Sequence, residues 1–139
     1  MLQQVDSKDG ITLIGEPLQL LDRADVDGPL IEAPSLIRVA GAGNNHYVYI
    51  LFYSSNSWQT SYYDIAYATS TTGIKVPYTR AAIPLLSTGD GGGKLYAPGA
   101  IDVLANSMKV VFHADLGSNW MVRQMWTGRI AAHGTTVSI

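Results

Sequence analysis

The sequence consists of short apolar stretches that are broken every few residues by glycine, proline, asparagine, aspartate and serine. The longest unbroken stretch is YVYILFY at residues 47–53, where aromatic and β-branched side chains lack the spacing of an amphipathic helix. Such side chains favour strands, and the polar and glycine-rich clusters between the stretches favour turns. We therefore predict an all-β protein that needs no helix, with residues 47–53 in a central strand.

The same pattern gives the positions of the individual strands. The predicted strands are residues 3–6, 17–21, 36–40, 47–54, 64–69, 82–85, 101–105, 109–114, 122–129 and 135–139. Segments typical of turns separate them, such as GAGNN at 41–45 and GDGGG at 89–93. The length of 139 residues suits one domain.

Two parts of the chain resemble each other. Residues 34–39 (PSLIRV) and 98–103 (PGAIDV) each start with proline and lead through a short strand and a polar turn into a strongly apolar strand. A repeat of this kind is typical of a β-propeller, whose four-stranded blades are arranged radially. We predict that residues 1–29 hold the closing strands of a blade and a linker, that 30–88 form a blade, and that 95–139 form another. The fold is then a partial β-propeller of about two and a half blades, and a closed propeller needs at least about four.

Composition excludes several classes of function. The formal net charge is -2, and no block of like charge occurs, so we expect no nucleic-acid partner and no binding to an anionic membrane. No apolar run is long enough to span a membrane, and the first residues, MLQQVDSKDG, lack the regions of a signal peptide. The absence of cysteine excludes disulfides and thiolate metal sites. The sequence does not predict a cellular location.

Five segments resemble glycoside hydrolase family 43, in the order in which that family has them. They are LIEAPSL at 30–36, YILFYSS at 49–55, YDIAYATS at 63–70, APG at 97–99 and FHA at 112–114. The family consists of five-bladed β-propellers that cut linkages of arabinose and xylose. The resemblance implies a carbohydrate partner and the C-terminal portion of such a propeller, in a family whose members are often secreted.

The resemblance implies that Glu32 is the general acid, which protonates the leaving oxygen. A glutamate between Ile31 and Ala33 is expected to be partly buried, and burial favours the protonated form that an acid needs. The alternative is an ordinary polar residue at the start of a strand. The family's catalytic base and its tuning aspartate belong to earlier blades and are not visible here, and we expect residues 22–27 (DRADVD) to form a solvated loop.

His113 follows from the same resemblance, and two further site residues follow from the chemistry of their side chains. His113 matches a histidine near the propeller axis that in some members helps to hold a central cation, Ca²⁺ or another, often through water; no cofactor is otherwise required. The alternative is a core histidine bonded to a backbone carbonyl. Trp58, with Tyr62 and Tyr63, is predicted to stack on sugar rings, or else to pack within a sheet. Arg123 is predicted to hold a sugar hydroxyl or an acidic partner, or else to lie on the surface.

Three functions and one assembly remain open at this point. The first is a family-43-like hydrolase of arabino- or xylo-configured glycosides with doubtful activity in this chain; the second is a non-catalytic carbohydrate-binding or scaffold protein. The third is an esterase-like hydrolase, although the motif Gly-x-Ser-x-Gly is absent. Because an open propeller exposes sheet edges, we also expect a homodimer that completes a five-bladed ring.

Overall fold

The structure is a computed structural model that describes residues 1–42, 46–104, 106–116 and 122–139. Antiparallel strands dominate it, as the sequence predicts. The strands are β1 (Leu2–Val5), β2 (Leu13–Leu18), β3 (Ile31–Ala40), β4 (Tyr47–Ser55), β5 (Asp64–Ser70), β6 (Thr79–Arg80), β7 (Leu95–Leu104), β8 (Lys109–Leu116), β9 (Arg123–Arg129), β10 (Ala131–His133) and β11 (Thr136–Ser138). Two short helical turns, Asp25–Asp27 and Asp90–Gly93, add to what the sequence predicts.

The strands of the described residues form four antiparallel sheets. In chain order these are a β1-β2 hairpin, the four-stranded sheet β3-β4-β5-β6, the three-stranded sheet β7-β8-β9, and a β10-β11 hairpin. Every neighbouring pair within a sheet is also consecutive in the chain, so each sheet is a simple meander. Among the described residues, no helix is long and apolar enough to cross a membrane.

The predicted central strand at residues 47–53 is confirmed, because β4 pairs with β3 on one side and with β5 on the other. Its two faces contribute to different cores. Ile50 and Phe52 belong to the larger core, which also includes Ile101 from β7 and Phe112 from β8. Leu51 and Tyr53 face the smaller core, which Leu2 of β1 helps to cover. Burial on both faces explains why this strand is apolar at nearly every position rather than at alternate ones.

The predicted position of the fourth strand is wrong in both blades. Residues 82–85 do not form a strand, and β6 occupies residues 79–80 instead, because Pro84 cannot donate a backbone hydrogen bond. Residues 135–139 do not extend the β7-β8-β9 sheet. They turn back at Gly134, whose φ is +62°, and pair with β10 as a local hairpin. The backbone N–H of Val137 donates to the hydroxyl of Tyr67 (3.2 Å), which fixes this hairpin against the main core.

Strands β3 and β7 begin earlier than predicted. The sequence places their starts at residues 36 and 101, whereas they begin at Ile31 and Leu95. Each continues through an Ala-Pro pair because a β-bulge accommodates it, with shifts in register at Glu32/Ser35 and at Tyr96/Gly99. The predicted turn residues 43–45 and the last residue of the predicted strand 101–105 lie outside the described residues.

Candidate functional site

Glu32 lies in the bulge near the start of β3. It pairs with Ser54, and the next pair is Ser35 with Phe52, so β3 has one residue more than β4 over this interval. Ala33 takes up the extra residue with φ of +50°, a left-handed conformation that is uncommon for alanine. The side chain of Glu32 is exposed, so the expected burial between its apolar neighbours is wrong. The bulge turns this carboxyl outward rather than packing it into the sheet.

Tyr63 holds the exposed carboxyl of Glu32. Its hydroxyl donates a hydrogen bond of 2.6 Å to Oε1 of Glu32, and its side chain is only 1% exposed. The ring occupies the space above Gly99, where a Cβ would come within 2.0 Å of Cε1 of Tyr63. Burial, and then the hydrogen bond to Glu32, raise the pKa of Tyr63 to about 12. Tyr63 is therefore too buried to stack on a sugar, whereas Tyr62 beside it is 74% exposed.

His113 stacks on the other side of Tyr63. Their rings are nearly parallel, at an angle of 9°, with centroids 6.1 Å apart. The guanidinium of Arg123 approaches this imidazole, with Nη1 at 2.7 Å from Nδ1. Burial and the nearby positive charge of Arg123 lower the pKa of His113, against a smaller opposing effect of Asp115 and Glu32. The lowered pKa favours the neutral form of the imidazole.

Arg123 connects this histidine to Trp58. Its guanidinium carbon lies 5.3 Å from the centroid of the Trp58 ring, and Nη2 donates to the backbone oxygen of Trp58 (3.4 Å). Its Nε also lies 3.7 Å from Oδ1 of Asp115, which is fully buried and whose oxygens have no hydrogen-bond partner among the described residues. The four site residues predicted from the sequence, Glu32, Trp58, His113 and Arg123, therefore form one cluster around Tyr63. Their predicted roles remain predictions.

The surroundings of His113 do not fit a directly bound cation. No group of three or more histidine and acidic side chains among the described residues is arranged to hold a metal ion. The nearest charged group is itself positive, because Arg123 contacts both ring nitrogens, at 2.7 and 2.9 Å. A cation at this imidazole would have to displace the guanidinium first.

Asp27 and Asp64 carry carboxylates whose partners are residues other than Glu32. Asp27 is only 2% exposed and forms an ion pair of 2.8 Å with Arg80, so the predicted solvated loop is wrong at this residue. The hydroxyl of Tyr53 also donates to Asp27 (3.2 Å). Asp64 accepts a hydrogen bond of 2.6 Å from Ser55, and burial raises its pKa. Neither side chain is a free carboxylate that activates water.

The described residues also form no esterase-like triad. Among the hydrogen bonds of the described residues, none joins a serine hydroxyl to a histidine ring. Ser35 donates instead to Asp102 (2.9 Å), and Ser54 accepts from the backbone N–H of Ala100 (2.8 Å). The cluster around Glu32 thus remains the candidate site.

Sequence reasoning missed the central parts of this cluster. It left open whether Tyr63 stacks on sugar rings or packs within a sheet, and it gave no role to Gly99 or Asp115. One signal was available: Gly99 follows Ala97-Pro98 where Ser35 follows Ala33-Pro34, and the loss of a side chain at that position indicates a close approach by another group. The sequence does not indicate which group this is, because that depends on how the sheets pack together.

The chain is similar to known proteins in structure, whereas the sequence comparisons find no match. No family profile matches the sequence, and no curated protein matches it. Among solved structures, a thermostable family-43 glycoside hydrolase is similar over 95% of this chain, with a TM-score of 0.72 and 23% identity. A family-43 endo-arabinanase from Bacillus licheniformis is similar over 93%, with a TM-score of 0.70 and 24% identity.

An endo-1,4-β-xylanase from Bacteroides thetaiotaomicron is similar over 84% of the chain, with a TM-score of 0.66 and 26% identity. The similarity covers 40% of the xylanase chain and 44% of each of the other two, so this chain spans about two fifths of the length of these structures. The several separate antiparallel sheets agree with a propeller that is only partly present. The chain thus resembles family-43 glycoside hydrolases over part of their length, and its fold is that of a partial β-propeller of this type.

Proposed function

We propose that this chain supplies the general-acid part of a family-43-type site for carbohydrates that contain arabinose or xylose. The observation that carries the proposal is the cluster itself: an exposed Glu32 is fixed by Tyr63, with Trp58 and Arg123 beside it. Folds of one family host different functions, so the fold likeness alone would not be sufficient. The convergence of these side chains from different sheets adds a chemical reason.

Each side chain has a definite task in this proposal. The carboxyl of Glu32 gives its proton to the glycosidic oxygen as the bond to the leaving group breaks. Trp58 is 44% exposed and offers a flat apolar face to a sugar ring. Arg123 donates to a sugar hydroxyl through guanidinium hydrogens that its contacts with Trp58 and His113 do not use.

Hydrolysis with inversion also requires a second carboxylate, at roughly 6.5 to 9.5 Å from the acid, to activate water. Asp27 and Asp64 have other partners, and Asp115 is fully buried. We therefore expect the 139-residue chain to turn over aryl arabinosides and xylosides very weakly or not at all. This observation favours a second candidate, carbohydrate binding without hydrolysis.

Calorimetric titration with xylo- and arabino-oligosaccharides, together with aryl-glycoside assays, tests both candidates. We expect binding in the native chain and in Glu32→Gln, and a loss of about tenfold or more in affinity in Trp58→Ala, because the stacked face is lost. Tyr47→Ala is the matched control, with unchanged affinity, because Tyr47 is 41% exposed but lies at the opposite end of β4 from Glu32. The absence of binding to every oligosaccharide would refute the proposal. Robust turnover that Glu32→Gln abolishes would contradict only the expected weakness of hydrolysis.

The proposal includes the division of the chain into blades. Residues 1–29 contain the β1-β2 hairpin, 30–88 contain the four-stranded sheet, and 95–139 contain β7 to β11. We assign these ranges to the closing part of one blade and to two further blades. Limited proteolysis would contradict the assignment if it cut first within the four-stranded sheet rather than between these ranges.

A homodimer completes the ring in this proposal. The β1-β2 hairpin is a separate two-stranded sheet, which is marginally stable by itself, and Leu13 and Ile14 of β2 are 67% and 43% exposed. Pairing of two such hairpins across a two-fold axis would cover them and turn both copies of Glu32 toward one channel. Light scattering coupled to gel filtration decides: a folded species of 15.0 kDa across a dilution series would refute the dimer.

A further inference from the structure

We propose that Tyr63 is the positioning residue of Glu32 and that the neighbouring sheet holds Tyr63 in place. The hydroxyl of Tyr63 donates to Glu32 on β3, its ring packs against Gly99 on β7 and His113 on β8, and the backbone N–H of Ala100 on β7 donates to the hydroxyl of Ser54 on β4. The inference rests on the proposed function, because it assigns to Tyr63 a role in the chemistry of Glu32.

Both hydrogen bonds have a fixed direction. The N–H of Ala100 only donates, so Oγ of Ser54 is the acceptor in their bond of 2.8 Å, which joins the two sheets. Tyr63 donates its hydroxyl hydrogen to Oε1 of Glu32, at 2.6 Å.

The packing around Tyr63 restricts its side chain to one orientation. Its side chain is 1% exposed, its ring fills the gap left by Gly99, and His113 stacks on it. Gly99, Ala100 and His113 belong to the β7-β8-β9 sheet, whereas Glu32 and Ser54 belong to the β3-β4-β5-β6 sheet. The orientation of the carboxyl therefore depends on the contact between the two sheets.

This arrangement has a consequence for reactivity. An exposed glutamate has several free torsions and samples many orientations, which costs entropy whenever one orientation is required. A buried donor that binds one carboxyl oxygen removes most of this freedom before the substrate arrives. Misplacement of a catalytic group by about 1 Å can cost roughly a hundredfold in rate, so the effect of Tyr63 should be measurable.

The experiment compares Tyr63→Phe and Ser54→Ala with the native chain, and uses Tyr62→Phe as the control. In the native chain we expect a downfield hydroxyl proton of Tyr63, protected from exchange, in NMR of tyrosine-labelled protein, and side-chain couplings of Glu32 that indicate one rotamer. In Tyr63→Phe the proton disappears and the couplings of Glu32 become averaged. In Ser54→Ala the proton exchanges faster. Tyr62→Phe changes neither.

Kinetics provide a second readout where turnover is measurable. We expect Tyr63→Phe to lower kcat about tenfold or more with KM changed less than twofold, because orientation rather than sugar affinity is lost. Unchanged couplings of Glu32 in Tyr63→Phe would overturn the inference. If those couplings respond while no oligosaccharide binds, the proposed function fails and the hold of Tyr63 on Glu32 stands.

Discussion

The two Ala-Pro bulges of the molecule have the same backbone and different side chains. In β3, Glu32 pairs with Ser54 and Ser35 pairs with Phe52; in β7, Tyr96 pairs with Asp115 and Gly99 pairs with His113. Each bulge inserts one extra residue, and in each an alanine adopts a left-handed conformation, Ala33 with φ of +50° and Ala97 with φ of +47°. The sheets thus repeat a structural device, and the two copies differ at five positions, of which four are the paired residues just named.

These four positions explain how a repeat becomes a site. In the first bulge an acid faces outward over a small serine, whereas in the second a tyrosine lies opposite a buried aspartate. Glycine in place of Ser35 makes room for Tyr63, and histidine in place of Phe52 gives that ring a polar neighbour. The β7 bulge therefore accommodates and supports the group that holds the acid of the β3 bulge. In the proposed function, the site depends on this asymmetry between the copies.

The substitution with the largest expected effect on this asymmetry adds a side chain at Gly99 in the β7 bulge. In Gly99→Ala the new Cβ would lie 2.0 Å from the ring of Tyr63, and we expect a loss of about 3 kcal/mol in the free energy of unfolding, because overpacking forces the ring or the sheets apart. The matched change Ser35→Ala removes an exposed hydrogen bond to Asp102 and should cost about 0.5 kcal/mol.

Urea denaturation measures both variants. Equal and small losses would show that Tyr63 does not occupy the gap above Gly99, and would contradict the interlock between the two sheets.

Replacement of the two left-handed alanines by glycine tests whether the two bulges are equally strained. Alanine in this conformation costs roughly 1–2 kcal/mol that glycine avoids, against a smaller entropic cost of glycine. Ala33 is only half-buried, so Ala33→Gly should stabilise the protein by about 0.5 kcal/mol. Ala97 has 0% exposure, so in Ala97→Gly the loss of a packed methyl, worth about 0.8 kcal/mol, should cancel the gain.

Thermal unfolding of both variants checks this difference. A larger stabilisation in Ala97→Gly than in Ala33→Gly would mean that burial does not distinguish the two bulges.

The sequence was sufficient for the features that depend on local patterns. The run at residues 47–53 identified the central strand, because a strand buried on both faces must be apolar throughout. The repeated proline identified the two related strands, but not their starts, since a bulge lets a strand continue through Ala33-Pro34 where local rules predict a break. Of the predicted site residues, Glu32 and His113 came from the resemblance, and Trp58 and Arg123 from the chemistry of their side chains.

Their partners were not found, because those contacts join residues that are distant in the chain. The hydrogen bond from Tyr63 to Glu32 connects side chains of different strands, and the room for Tyr63 is provided by Gly99 in another sheet. Asp27 shows the same limit. Its segment reads as a polar loop, and only the fold brings Arg80 to within 2.8 Å of its carboxylate. Local composition does not indicate which distant residues pair with each other.

The smallest effect that we expect is a dependence of stability on pH, and it should come from the second bulge alone. His113 has a lowered pKa, first because it is buried and then because Arg123 lies beside it, whereas Phe52 at the corresponding place in the first bulge does not titrate. Above pH 6.5 the imidazole is neutral in both the folded and the unfolded chain, so its contribution to stability is fully present. As the pH falls below 6.5, the unfolded chain binds a proton that the folded chain resists, and the free energy of unfolding declines until the pKa of His113 in the folded chain is passed.

Asp64 also makes stability depend on pH, but with the opposite sign. Its pKa is raised in the folded chain, so its contribution to stability is present at low pH and is lost as the pH rises through the pKa of the folded state. Urea denaturation between pH 5 and 8 of the native chain and of His113→Phe, which copies the residue of the first bulge, separates the two groups. The variant should lose the decline below pH 6.5 and retain whatever Asp64 contributes. An identical pH profile in both proteins would show that His113 titrates alike when folded and unfolded, and that the stacked ring of Tyr63 and the guanidinium of Arg123 do not shield it.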